Sequence, residues 1–274
     1  MILQKVHSGS PSTVLQKSHA NLALEMARGF GNETFRPLEP FELMEFVVAN
    51  HDRGWDEIDE KLTFNDATGL PYDLIQTPMD ALLQTGPESV KFCADYHPYC
   101  GLLVSMHSFG LFTGRYGLSD KVFVEMVPAH YRAKVEANLK DELLRQSQLK
   151  AQLQEDKSLQ GWLTEEALFY NYKRLQFFDT LSLYFNVDED SGRQEAVFPN
   201  VPRSLGDDVS IKVSRVEEGV YALDPYPFRL PEFDVGLSKL LIEPQKTTVS
   251  LAQLNLDHLK SWEPIKLVSP ELQH

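Results

Sequence analysis

The stretch "LTEEALFYNYKRLQFFDTLSLYFNV", residues 163–187, decides how the chain is read. Thr164, with Glu165 and Glu166 behind it, is a helix start. Beyond it the sequence is nearly apolar all round, the mark of a helix buried at the centre of a domain. One carboxylate interrupts the apolar run: Asp179 stands among Leu175, Phe177, Phe178, Leu181 and Leu183. Burying an isolated carboxylate there costs several kcal/mol, so a cation, a metal or a dense set of hydrogen bonds has to offset it.

Other helices are expected around this one. Leu15, His19, Leu22 and Met26 form one stripe of a helix over about 12–28, stopped by Gly29 and Gly31. Pro37-Leu38-Glu39-Pro40 opens a second helix. Met44, Val47, Val48 and His51 fall on its apolar face at i, i+3, i+4 and i+7, Asp52 flanks that face, and Gly54 breaks the helix. Residues 62–80 read as an ordered loop rich in turn formers, with a short helix over about 79–83. His97 stands before Pro98 at the start of a further helix, in which Leu103, Val104 and His107 share a face. A long polar helix covers about 128–154. After Asn186, Pro, Gly and Asp cluster, and "VSIKVSRVEEGVYALDPYPFRL" (209–230) alternates and turns as strands do. The expectation is a mainly α fold: a helical domain over 1–190, then a small β-rich C-terminal appendage and an irregular tail over 191–274.

Composition narrows the function classes. The 274 residues are 42% hydrophobic and 24% charged, as in an ordinary globular protein. A formal net charge of −14 repels nucleic-acid polymers and anionic membranes. No apolar run approaches the roughly 20 residues that span a bilayer, and "MILQKVHSGSPS" lacks the pattern of a secretory signal. Cys93 and Cys100 are the only cysteines, which fits a reducing cytoplasm. Homo-oligomerisation stays open.

Five polar residues sit on otherwise apolar helix faces: His19, His51, Asp52, His107 and Asp179. Each alone has a plain structural reading, as a core histidine or a helix cap. Together they suit a divalent metal, which would offset both carboxylates and hold the histidines neutral. Mixed imidazole and carboxylate ligation favours zinc, manganese, iron, nickel or cobalt over calcium.

The order His…His-Asp…Asp resembles the HD-domain superfamily of metal-dependent phosphohydrolases. The chain is also similar to an uncharacterised family of HD-like proteins through "QKSHANLALEMARGFG", "HDRGWDEID", "GLPYDL", "LLVSMHSFGL" and "QFFDTLSLY", which spread over about 1–190. The resemblance implies an HD-like helical core in which His19, His51, Asp52 and Asp179 hold one metal. Members with two ions add two histidines; His107 matches one, and His97 is the convenient second. It implies hydrolysis of a phosphate ester, mono- or diester, of a nucleotide or small phosphorylated metabolite.

On that reading Asp56, four residues beyond Asp52, is the candidate base, with Glu57 and Asp59 behind it. Arg53, Arg115, Lys173 and Arg174 are the candidate phosphate contacts, and Trp55 and Tyr72 wall the pocket. Phosphohydrolases of the superfamily often carry Lys soon after the His-Asp pair; here Arg53, Gly54 and Trp55 follow. Two other classes stand beside the hydrolase: an HD-like di-iron oxygenase, and a degenerate binding or regulatory protein.

Overall fold

A computed structural model describes residues 1–6 and 11–272. The chain begins with two short strands, β1 (Ile2–Gln4) and β2 (Ser12–Val14), before α1 (Gln16–Gly29), α2 (Phe41–Asn50) and α3 (Asp56–Glu60). After β3 (Lys61–Leu62) come α4 (Met79–Tyr96), α5 (Pro98–Phe112), α6 (Phe123–Met126), α7 (Arg132–Leu153) and α8 (Glu165–Val187). The strands β4 (Ala196–Ser204), β5 (Asp207–Glu217), β6 (Val220–Asp224), β7 (Glu232–Leu240) and β8 (Val249–Ser250) follow. Last come α9 (Leu256–Leu259) and β9 (Lys260–Val268).

The helices form where periodicity and capping place them. Thr164 Oγ1 accepts from Ala167 N–H at 3.2 Å and starts α8. His97 Nδ1 accepts from Tyr99 N–H at 3.1 Å and starts α5, with Pro98 at its first position. α4 is far longer than the expected short helix, because Pro87 does not stop it. The N–H that Pro87 lacks would have bonded the Leu83 carbonyl four residues back. That carbonyl instead accepts from Asn138 Nδ2 at 3.1 Å.

The β part overturns the mainly α expectation. The protein is 52% helical and 22% strand, and its main sheet is a curled, mixed half-barrel of seven strands, not a small appendage on an HD-like helical core. The strand order is β1-β2-β7-β9-β6-β5-β4. β6 and β9 pair in parallel and the other neighbours are antiparallel. Residues 12–14, expected to begin the first helix, are a strand, and residues 260–268, expected as irregular tail, lie mid-sheet between β7 and β6. Pro264 is tolerated there because pairing with β6 begins only at Lys266.

One core joins the two parts. Inward-facing Ile211, Val213, Tyr221, Leu223, Val235, Leu237, Ile265 and Leu267 meet Phe177, Phe178 and Phe185 of α8 in a single buried cluster. α8 is apolar all round because helices cover one side of it and sheet the other. Among the described residues no helix is long and apolar enough to cross a membrane.

Candidate metal centre

Four separate elements bring the polar residues together. α1 supplies His19, the end of α2 supplies His51 and Asp52, α5 supplies His107, and α8 supplies Asp179. His19 Nε2 lies 3.2 Å from Asp179 Oδ1 and 3.8 Å from Asp52 Oδ2. His51 Nε2 lies 3.5 Å from Asp52 Oδ2 and 3.8 Å from Asp179 Oδ1. The donor atoms of His19, His51 and Asp179 lie within 4.8 Å of one another, and so do those of His51, Asp52 and His107. All are buried except Asp52, which is half-buried.

The outer faces of the rings fix which nitrogen faces inward. His51 Nδ1 lies 2.8 Å from the Val48 carbonyl, which can only accept, so Nδ1 carries the proton. The amides of Asn186 and Gln176 lie 2.9 Å from His19 Nδ1 and 2.7 Å from His107 Nδ1. Amide oxygen and nitrogen are assigned only by their bonding. With their oxygens turned to the rings these amides would accept Nδ1–H, the orientation that a metal on Nε2 requires. Each histidine then keeps an Nε2 lone pair, as a metal ligand with an oriented outer partner does. The Nε2 atoms of His19 and His51 are buried without a hydrogen bond. The donor set therefore fits a divalent metal.

Without metal the cluster polarises itself. Burial alone would lower His51, but Asp52 and Asp179 outweigh it and raise its pKa from 6.5 to about 9. For His107 burial wins over the pull of Asp179, and its pKa falls to about 4. Burial pushes Asp179 up, but His19, His51, His107 and Arg115 together hold it well below the usual carboxylate range.

Arg115 comes from an unusual turn. Gly114, Arg115, Tyr116 and Gly117 all have positive φ, at 71°, 53°, 56° and 87°. Two successive non-glycine residues in the left-handed region cost on the order of 1–3 kcal/mol each. Packing of the Tyr116 ring against Phe109, Phe169 and Tyr172 holds the turn. The turn sets Arg115 Nη2 3.4 Å from Asp179 Oδ2.

Of the remaining candidates, only Trp55 lies beside the cluster among the described residues. His97 caps α5, roughly 15 Å along the helix from His107 at about 1.5 Å per residue, outside the cluster. Asp56 pairs with Arg53 at 2.9 Å. Asp56, Glu57, Asp59 and Tyr72 line a separate groove. Arg174 is buried and commits its guanidinium to the Arg36 and Pro37 carbonyls and the Tyr170 hydroxyl, so it is a structural strut. Lys173 pairs with Asp208. Trp55 walls a narrow cavity of about 50 Å³ with His51, Asp52 and His107.

Sequence reasoning missed the outer partners. Gln176, Asp179, Ser182 and Asn186 repeat at intervals of three, three and four, a polar stripe on the apolar α8. Ser182 Oγ donates to the His19 carbonyl at 2.8 Å, so the stripe holds α1 against α8 as well as orienting the rings. That spacing was the available signal.

Gly54 fixes the approach of the His51–Asp52 corner to α4. Its N–H donates to Ser89 Oγ at 2.8 Å, and a Cβ would stand 2.0 Å from the Thr85 carbonyl oxygen. Backbone on both sides leaves little room to yield. Gly54→Ala is expected to destabilise the fold by about 3 kcal/mol, at the upper end for overpacking. Urea unfolding checks this, and a midpoint equal to that of wild type would show that the corner can shift freely.

A family model described as "Protein of unknown function (DUF3891)" matches residues 1–243, ending before β9. No curated protein matches the chain, and no solved structure does. Nothing in these comparisons links the chain to the HD-domain superfamily, and the seven-stranded sheet removes the all-α architecture that the resemblance implied.

Proposed function

The chain belongs to the DUF3891 family of proteins of unknown function, and we propose that it is a metal-dependent hydrolase acting on a phosphate ester of a small phosphorylated molecule. One observation carries the reading: two buried imidazole Nε2 atoms without hydrogen bonds converge on the carboxylates of Asp52 and Asp179. Such groups are costly to bury unless something joins them.

His19, His51, Asp52, His107 and Asp179 would hold the ion. The two donor triads share His51, and Asp179 Oδ2 already faces Arg115, which supports one ion in preference to two. A bound divalent ion lowers the pKa of water and polarises a phosphoryl oxygen. Asp52, 16% exposed at its side chain, is the carboxylate of the cluster that solvent reaches best. Its Oδ2 faces His19 and His51, which leaves Oδ1 to take a proton from water entering the cavity, whereas Asp56, tied to Arg53, lines a separate groove. Trp55, Leu83 and Phe112 exclude bulk water. At about 50 Å³ this cavity has room for water beside the cluster and not for a nucleotide.

The test is elemental analysis of protein purified without chelators or metal resin, wild type beside His51→Ala, with turnover of a panel of phosphate esters. The expected result is close to one manganese, iron, zinc, nickel or cobalt ion per chain, with both ion and turnover lost in the variant. Wild type that takes up none of these metals overturns the reading and points to a degenerate binding protein. Iron with oxygen-dependent turnover, and none on phosphate esters, moves it to an oxygenase.

A further inference from the structure

A second cavity, of about 260 Å³, is lined by Arg115, which also meets the cluster's carboxylate Asp179. Its polar lining includes Arg115, Lys173, Ser119, Gln176 and Asn200, and no carboxylate is among its lining residues. That is uncommon on a chain with a net charge of −14. The grooves lined by Glu25, Glu218 and Asp234, and by Asp56, Glu57 and Asp59, are acidic by contrast. An anion steered by the field of this protein meets its least repulsive cavity here.

Arg115 is set up for a second partner. One Nη2 contact goes to Asp179 Oδ2, and among the described residues the rest of the guanidinium has no hydrogen-bonding partner. A guanidinium has five donors in a rigid fork that matches phosphate. The left-handed turn at 114–117 fixes this fork between the cluster and the cavity. Lys173 lines the same cavity, and its Nζ pairs with Asp208 and lies over the Phe169 ring. Phe177, Val197 and Phe198 supply an apolar wall. The volume is below the roughly 300 Å³ of pockets for drug-sized ligands, so the occupant is small.

We propose that this cavity binds the phosphate of a small phosphate monoester, gripped by Arg115 and seconded by Lys173. Two cations suit the dianion of a monoester better than the single charge of a diester. The inference rests on the hydrolase reading only for calling the ligand a phosphate ester; the cavity shares no lining residue with the one beside His51, Asp52 and His107, and its binding depends on the chain's own two cations.

The test is calorimetric titration of inorganic phosphate, methyl phosphate and dimethyl phosphate into wild type, Arg115→Gln, Lys173→Gln and the surface control Lys157→Gln. Each protein is titrated metal-loaded and after EDTA, with metal content read on the same samples and folding checked by circular dichroism. Phosphate and methyl phosphate are expected to bind wild type at least tenfold more tightly than dimethyl phosphate, with binding surviving EDTA. Arg115→Gln should weaken phosphate at least tenfold while keeping its metal, Lys173→Gln severalfold, and the control not at all.

Should Arg115→Gln fail to fold, Lys173→Gln decides, and unchanged phosphate binding in it overturns the proposal. So does wild type that binds no phosphate, or binds it only with metal present. Arg115-dependent phosphate binding in a protein that never takes up metal would sink the hydrolase reading and leave the anion site standing. Metal uptake with phosphate binding indifferent to Arg115 would do the reverse.

Discussion

Asp179→Ala is expected to lose bound metal and to melt far below wild type, even when both proteins are stripped with EDTA. In the stripped protein Asp179 faces His51, His19 and Arg115 from within α8. The carboxylate is 4% exposed, so water cannot replace it. Its removal leaves the Arg115 guanidinium without its ion-pair partner and a protonated His51 with Asp52 alone. Breaking a buried ion pair on one side costs about 3–5 kcal/mol. Urea unfolding in EDTA measures the loss directly, and metal loading of the wild type should widen the gap. Asp179 lies within α8 and caps nothing, so the contrary outcome is a loss of only about 1 kcal/mol, the size of a lost cap, with metal content unchanged. That outcome would remove Asp179 from the centre.

Metal-free protein should be most stable near pH 6.5 and weaken on both sides. The folded pKa of His51 is raised to about 9 from 6.5. Its contribution is therefore complete below 6.5 and is lost as pH rises from 6.5 through 9. His107 has the opposite sign. Its folded pKa is depressed to about 4, so its contribution is present above 6.5 and is lost as pH falls from there through 4. Asp179, held well below 3.8, adds a further loss below that value. Bound metal takes the place of the proton on His51, so loaded protein should keep its stability between pH 6.5 and 9, where stripped protein loses a few kcal/mol. Melting curves at pH 5, 6.5 and 9, with and without EDTA, test this. A stripped protein as stable at 9 as at 6.5 would show that His51 is not held protonated.

The cluster was legible because its members break local rules. His51 continues an apolar stripe, and Asp179 interrupts an apolar helix; such violations are visible within one helical turn. The companions of Asp179 on α8 obey the same 3-3-4 spacing and were legible in principle. Asp56 and Arg174 lie outside the cluster for a different reason. Closeness in sequence to a ligand does not place a side chain, and each found a nearer partner.

The sheet was hard to read because its pairings are long-range. β1 and β2 are three residues each, too short to show alternation, and β9 carries a proline. What makes β2 and β9 strands is the edge each one meets far away in the chain, on β7 and β6 respectively, while β1 rests on β2. Residues 209–230 displayed their alternation, but nothing local said that both ends of the chain would join them.

The position of β9 carries a consequence for solubility. Until residues 260–268 dock, the sheet consists of two ribbons, β1-β2-β7 and β6-β5-β4. Each presents an unpaired inner edge, with Val235 and Leu237 on one and Tyr221 and Leu223 on the other. Exposed apolar edges of that kind recruit strands from other molecules. The strand that closes the gap therefore also keeps neighbouring copies out of it, and it lies beyond the part of the chain that the family model spans.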